Sequence, residues 1–217
     1  MKYILSAVFV LGICTLPQLK SQSSYHSAHE DARTEIQFGV KTGVNLSIIY
    51  DEEGNQILPD PKFGFVAGIW LGIPFGRYLG LQPELLYSQK GYLARGTVLN
   101  LDYSYTQSTD YIDIPVHLQF KPTSSIVLLA GPQYSKLVSR TDEFGQGTIT
   151  SVQKREISNN TIRSDVWGLS TGMDFTVEHL VLSVRACLDL QRNRGDGTSI
   201  NPSYKNAWIQ STIGYRF

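Results

Sequence analysis

The chain has little charge, almost no cysteine and, beyond its first residues, no long apolar run. Each shortage excludes something. Lys, Arg, Asp and Glu make up 18% of the 217 residues, below the ~25% usual in soluble domains. They cancel to a formal net charge of zero. Nucleic acid is therefore not an expected partner, because phosphate binding needs a basic footprint. The two cysteines are Cys14 and Cys187. Cys14 lies in a leader-like start, so Cys187 has no partner for an internal disulfide, and no zinc spacing exists. No later stretch reaches the ~18 apolar residues of a helical membrane span. The glycines around Gly72 and Gly76 lack the following Lys-Ser/Thr of a phosphate-cradling loop.

The start, MKYILSAVFVLGICTLPQLKSQ, has a cationic residue (Lys2), an apolar run from Tyr3 to Leu16 and a polar exit. That order is the mark of a secretory signal peptide, assigned to residues 1–22. Ile13 precedes Cys14 where a lipoprotein site wants a small residue, which argues against lipidation. Residues 23–35 read as a flexible periplasmic segment. His26, His29, Glu30 and Asp31 fall in it, on a polar terminus with no second shell to fix a metal.

From residue 36 to 217 the pattern changes to alternation of apolar and polar residues, the signal of a half-buried strand. The segments run over 36–49, 63–73, 79–90, 110–120, 126–137, 166–177, 180–190 and 207–217. In DYIDIPVHLQF (110–120), Ile112, Ile114, Val116, Leu118 and Phe120 share one face. Asp113, His117 and Gln119 share the other. The segment over 126–137 is apolar on both faces at first, and its orientation stays open. Gly64, Gly68, Gly72 and Gly76 recur as in a helix-packing ladder, but the stretch is too short to span as a helix, and a strand is expected.

The connections alternate. Short ones (74–78, 121–125 and 178–179) fall at one end. Long ones (50–62, 91–109, 138–165 and 191–206) fall at the other. Short turns on one side and long loops on the other is the layout of an outer-membrane barrel. The expected fold is all-β: an eight-stranded antiparallel up-and-down transmembrane β-barrel. Two of the long connections carry strand-like text. TVLNLDYSYTQ should extend its flanking strands, and GQGTITSVQKREI reads as a protruding hairpin.

A soluble eight-stranded barrel that binds apolar ligands also alternates, with its apolar face inward. Its outer face would need many charges. Here the polar faces are built of small residues with a few ions, such as Gly168, Ser170, Gly172, Asp174 and Thr176. This suits a crowded interior. The inferred lumen network is Lys41, Glu84, Asp113, His117, Asp174, Arg185, Asp189 and Arg216, mixed in sign as buried charges require. Eight strands enclose a space that side chains just fill, so a plug is expected and not a pore. Aromatic residues near segment ends (Tyr50, Tyr78, Tyr87, Tyr92, Tyr111, Tyr134, Trp167, Tyr204 and Trp208) read as girdles. Pro83, Pro115 and Pro132 sit inside three successive segments, where bulges or broken pairing are expected. Asp113 could orient His117, but no serine can be placed beside it, and no catalytic residue, cofactor or metal is assigned.

The runs LQPELLYSQKGY (81–92), YIDIPVHLQFKP (111–122) and LLAGPQYSKL (128–137) resemble the PorT-type outer-membrane β-barrel family of Bacteroidetes-like bacteria. The closing IGYRF is similar to the terminal aromatic signal read by the barrel-assembly machinery, with Tyr215 and Phe217 as its aromatic residues. The resemblance implies a non-enzymatic protein of the Gram-negative outer membrane. Its partners would be outer-membrane lipids, the assembly machinery and envelope or secretion-complex proteins. The family's namesake is implicated in type IX secretion. The alternatives are a lipid-modifying outer-membrane enzyme and a soluble periplasmic binder.

Overall fold

A computed structural model describes residues 33–50, 60–98, 101–146, 149–155, 163–192 and 205–217. Residues 1–22, expected to be a signal peptide, and nearly all of the segment 23–35 lie outside the described residues. The strands are β1 (Gln37–Tyr50), β2 (Asp60–Pro74), β3 (Leu79–Val98), β4 (Leu101–Phe120), β5 (Ile126–Gln146), β6 (Ile149–Arg155), β7 (Asp165–Val177), β8 (Leu180–Asp189) and β9 (Lys205–Arg216). All pairings are antiparallel, and β1 closes on β9. Eight of these strands make a closed barrel in the order β1-β2-β3-β4-β5-β7-β8-β9. The ninth, β6, pairs with the far half of β5.

The alternation decides which side is which. Ile114 is 40% exposed while Asp113 and His117 are each 1% exposed. Along β8 every outward residue from Leu180 to Leu188 is exposed and every inward one is buried. The apolar side is therefore the outside of the cylinder, and the soluble reading with an apolar lumen is excluded. The open orientation of β5 resolves the same way: Leu129, Gln133 and Ser135 point in, while Leu128 and Val138 point out.

The short turns, expected on the periplasmic side, are 75–78, 121–125 and 178–179. Glu178 turns the last of these in a left-handed conformation (φ 52°). At the other end the strands are unequal. β8 has 10 residues, but β3 and β4 have 20 each and β5 has 21. A tilted crossing needs only about 9–11 residues, so β3, β4 and β5 project well past the rim. The connections over 91–109 and 138–165 are thus largely strand: β3 and β4 stay paired up to Val98↔Leu101, and β5 and β6 make the outer hairpin.

The three prolines interrupt the ladders without moving them. Pairing lapses between Trp70↔Glu84 and Ile73↔Leu81, between Pro83↔Val116 and Leu86↔Asp113, and between Pro115↔Gln133 and Leu118↔Ala130. A proline cannot donate to the ladder, and the lapses step from one strand to the next beside Pro83, Pro115 and Pro132. The register shifts lie elsewhere, at Pro61/Val66 and at Asp110/Tyr111. The expected band is therefore one of broken pairing and not of bulges.

Three of the expected girdle residues face the axis: Tyr111 and Trp208 are buried on the lumen face, and Tyr92 lies opposite the buried Gln107. Tyr78, Tyr87 and Trp167 face outward, and Trp167 packs on Tyr134 with centroids 5.3 Å apart. Trp70 also points in. It lies over Gly39, where a Cβ would meet the indole at 2.5 Å.

Candidate functional site: an ion-paired lumen

Inward-facing positions on a small closed barrel are removed from bulk water, so their charged groups need partners of the opposite sign. The lower layer centres on Glu84 of β3. Lys41 of β1 bridges its Oε2, and Gln82 Nε2 donates to Oε1 at 2.7 Å. Arg185 Nη2 lies 3.4 Å and His117 Nδ1 3.5 Å from the same Oε1. Arg185 of β8 also donates from Nη1 to Asp174 Oδ1 at 2.5 Å and to the Met173 carbonyl at 3.2 Å. Lys41 and Arg185 thus balance Glu84 and Asp174.

The upper layer centres on Lys90 of β3, which is 1% exposed. Its ammonium lies 3.1 Å from the Asp113 carboxylate and 3.3 Å from Ser135 Oγ. It also sits 3.8 Å above the Trp208 ring and 4.6 Å from the Tyr111 ring. Desolvated ammonium over aromatic faces is worth about 2 kcal/mol or more. Asp189 accepts from Asn206 Nδ2 at 2.7 Å, to the side of this group.

Of the eight residues assigned to the lumen network, Lys41, Glu84, His117, Asp174 and Arg185 meet in the lower layer. Asp113 belongs to the upper layer, and Asp189 is buried beside it. Arg216 stands apart from both. It donates to the Glu178 carbonyl at 2.6 Å, at the periplasmic rim. Its parity is inward, but it lies too near the strand end to reach the interior. Tyr215 and Phe217 face outward at the same rim. Phe217 is 68% exposed and stacks on Phe38 at 5.6 Å, while Tyr215 packs on Phe217 at 5.1 Å and on His179 at 5.3 Å.

Sequence reasoning left out Lys90, Gln82 and Ser170. Lys90 was within reach, since it shares its parity with Glu84. Ser170 was not. His117 Nε2 and Ser170 Oγ are 2.5 Å apart, because His117, Gly131 and Ser170 share one row across β4, β5 and β7. A Cβ on Gly131 would meet the Val116 carbonyl and the His117 Cα, so the glycine lets the imidazole pass over β5. Ser170, His117 and Glu84 thus follow one another in a row, although His117 Nδ1, 3.5 Å from the carboxylate, makes no hydrogen bond to it. Ser170 is 3% exposed. The nearby groove of about 580 Å³ opens on the lipid side, walled by Leu46, Ile48, Leu169, Leu188 and Ile209. Among the described residues no group of three or more His, Cys, Asp or Glu is placed to hold a metal ion.

A cylinder with aliphatic side chains outside and ion pairs inside is built for a bilayer, and residues 21–192 match the family profile described as outer membrane protein beta-barrel domain. The chain belongs to that family. The outer-membrane barrel is also similar to solved structures. Ail, the attachment invasion locus protein of Yersinia pestis, is 12% identical with a TM-score of 0.46, over 84% of this chain and 99% of Ail. Neisserial surface protein A is 13% identical with a TM-score of 0.45, over 83% and 97%. OprG of Pseudomonas aeruginosa is 16% identical with a TM-score of 0.44, over 83% and 95%. No curated protein sequence matches the chain.

Proposed function

We propose that this outer-membrane barrel is non-enzymatic and non-conducting. It is a rigid anchor that carries its long external strands and serves as an accessory to protein secretion or envelope organisation, exported through its signal peptide and inserted by the barrel-assembly machinery. The observation that carries the anchor reading is the lumen: two stacked layers of ion-paired side chains fill the interior from Glu84 to Lys90. The secretion role rests on the resemblance of residues 81–137 to the PorT-type family. Two measurements test the proposal. Purified barrel in planar bilayers should give no steady conductance, and a deletion strain should lose secreted cargo while keeping its other outer-membrane proteins. Steady open channels would overturn the anchor reading. Normal secretion in the deletion strain would overturn the accessory role alone.

The contact between His117 and Ser170, with Glu84 behind it, favours one second reading, a lipid-modifying enzyme. It predicts that His117→Ala abolishes a lipid modification detectable by mass spectrometry of membrane extracts while the barrel still folds. Identical lipid profiles in the parent and variant strains would rule it out. The anchor reading is preferred because Ser170 is 3% exposed and His117 Nδ1 makes no hydrogen bond to Glu84.

A further inference from the structure

The projecting part of the sheet has a face that the lumen does not use. Gln107 and Thr109 of β4 are buried on the axis side, and Tyr103 and Tyr105 continue that parity outward. Partners in register share a face, so Tyr92 (opposite Gln107) and Phe144 (opposite Tyr105) lie on it too, with Arg140 opposite Thr109 and Asp142 opposite Gln107. β7 ends against Lys136, so the β5 residues beyond Leu137 have left the barrel wall behind. These aromatic rings therefore stand above the membrane and serve no girdle.

The rings form two adjoining pairs. Tyr92 and Tyr105 have centroids 6.0 Å apart. Tyr103 and Phe144 are 6.4 Å apart, with planes only 20° from parallel. Phe144 is 44% exposed, an apolar surface left in water where no lipid reaches it. Planar polar groups adjoin them. Arg140 Nε holds Asp142 Oδ1 at 2.8 Å, and its Nη2 reaches Tyr105 OH at 3.4 Å and Gln107 Oε1 at 3.5 Å. Burial raises the Tyr105 hydroxyl above the ordinary tyrosine range, so it stays a neutral hydrogen-bonding group.

We propose that this external face is a binding platform for neutral oligosaccharides. A pyranose ring has an apolar C–H face and a rim of hydroxyls that both donate and accept. The nearly parallel Tyr103 and Phe144 rings match the first. An arginine, a carboxylate and an amide fixed side by side match the second. Arg140 and Asp142 pair with each other, so the polar rim offers a donor and an acceptor side by side, as uncharged hydroxyls require. The face looks over the barrel mouth and not sideways, so its ligand is a free external glycan and not a glycolipid of the same membrane. This inference depends on the external placement of the projecting strands and is independent of the secretion role.

The test uses the full barrel in nanodiscs, with maltohexaose, cellohexaose and chitohexaose as probes in saturation-transfer NMR. At least one should receive saturation on its ring C–H protons. Phe144→Ala should weaken binding about tenfold, the loss of one aromatic stack and its buried face. Phe144→Trp should keep it. A heat-dependent mobility shift checks that each variant is folded. Absence of transfer to any of the three at millimolar concentration overturns the proposal. So does equal binding by Phe144→Ala, and so does binding confined to sulfated oligosaccharides.

Discussion

At the scale of single residues, the lumen is a set of mutual obligations. Lys41 and Glu84 are both fully enclosed, so removing Lys41 takes from Glu84 its closest cation and leaves the buried layer one positive charge short. Lys41→Met should cost about 3–5 kcal/mol, read as a lower temperature for the unfolding shift on unheated gels. The double change Lys41→Met with Glu84→Gln should cost less than the sum of the two single changes, because the pair then disappears together. If the effects add, the two side chains are not coupled. Glycine sets a second obligation. Gly131→Val should push His117 off Ser170, because the space beside the His117 Cα is already taken. The expected signature is lost barrel yield, measured as the heat-modifiable fraction. Parity along a strand made much of this legible in advance. Asp113 and His117 are inside because Ile112 and Ile114 must be outside. Depth was harder to read. Arg216 has the right parity and the wrong height, and Trp208 has a girdle residue's composition and a core residue's position. Ser170 needed the registers of β4, β5 and β7 together, which no local pattern contains.

At the scale of elements, two features invite measurement. The lapses beside Pro83, Pro115 and Pro132 leave backbone groups without ladder partners. Amide exchange in nanodiscs should therefore be faster at Leu85, Val116 and Gly131 than at neighbouring positions such as Tyr87 or Leu129. Equal protection would mean that the sheet closes there by other bonds. The turn at Glu178 holds a non-glycine residue at φ 52°, a conformation costing an L-residue roughly 1–2 kcal/mol. Glu178→Gly should stabilise the barrel by about 1 kcal/mol, since the Arg216 contact is to the Glu178 backbone carbonyl and survives. The eight barrel segments were legible from alternation and connection length. The ninth strand was visible only as a hairpin-like text in a long loop. Its boundaries were hidden because β6 lies beyond the barrel, where one face no longer has to meet lipid.

At the scale of the whole molecule, the exterior and the interior are matched to different solvents, and the match predicts physical behaviour. The protein should fractionate with the envelope and need detergent for release. It should also migrate faster unheated than boiled. Release into buffer at high salt would contradict the lipid-facing exterior. Assembly should depend on the end of β9 and the residue after it: replacing Phe217 and Tyr215 with Ala should reduce insertion in cells while leaving detergent refolding of purified protein intact. Equal loss in both settings would make these rings structural and not a recognition signal.

The plug has one further consequence. It is made of side chains anchored on β1, β3, β4, β7 and β8, so clearing a passage would mean breaking ion pairs that belong to the wall itself. On the anchor reading proposed above, whatever this protein communicates between the two sides of the membrane travels as position, through tilt, clustering or the posture of its outer strands.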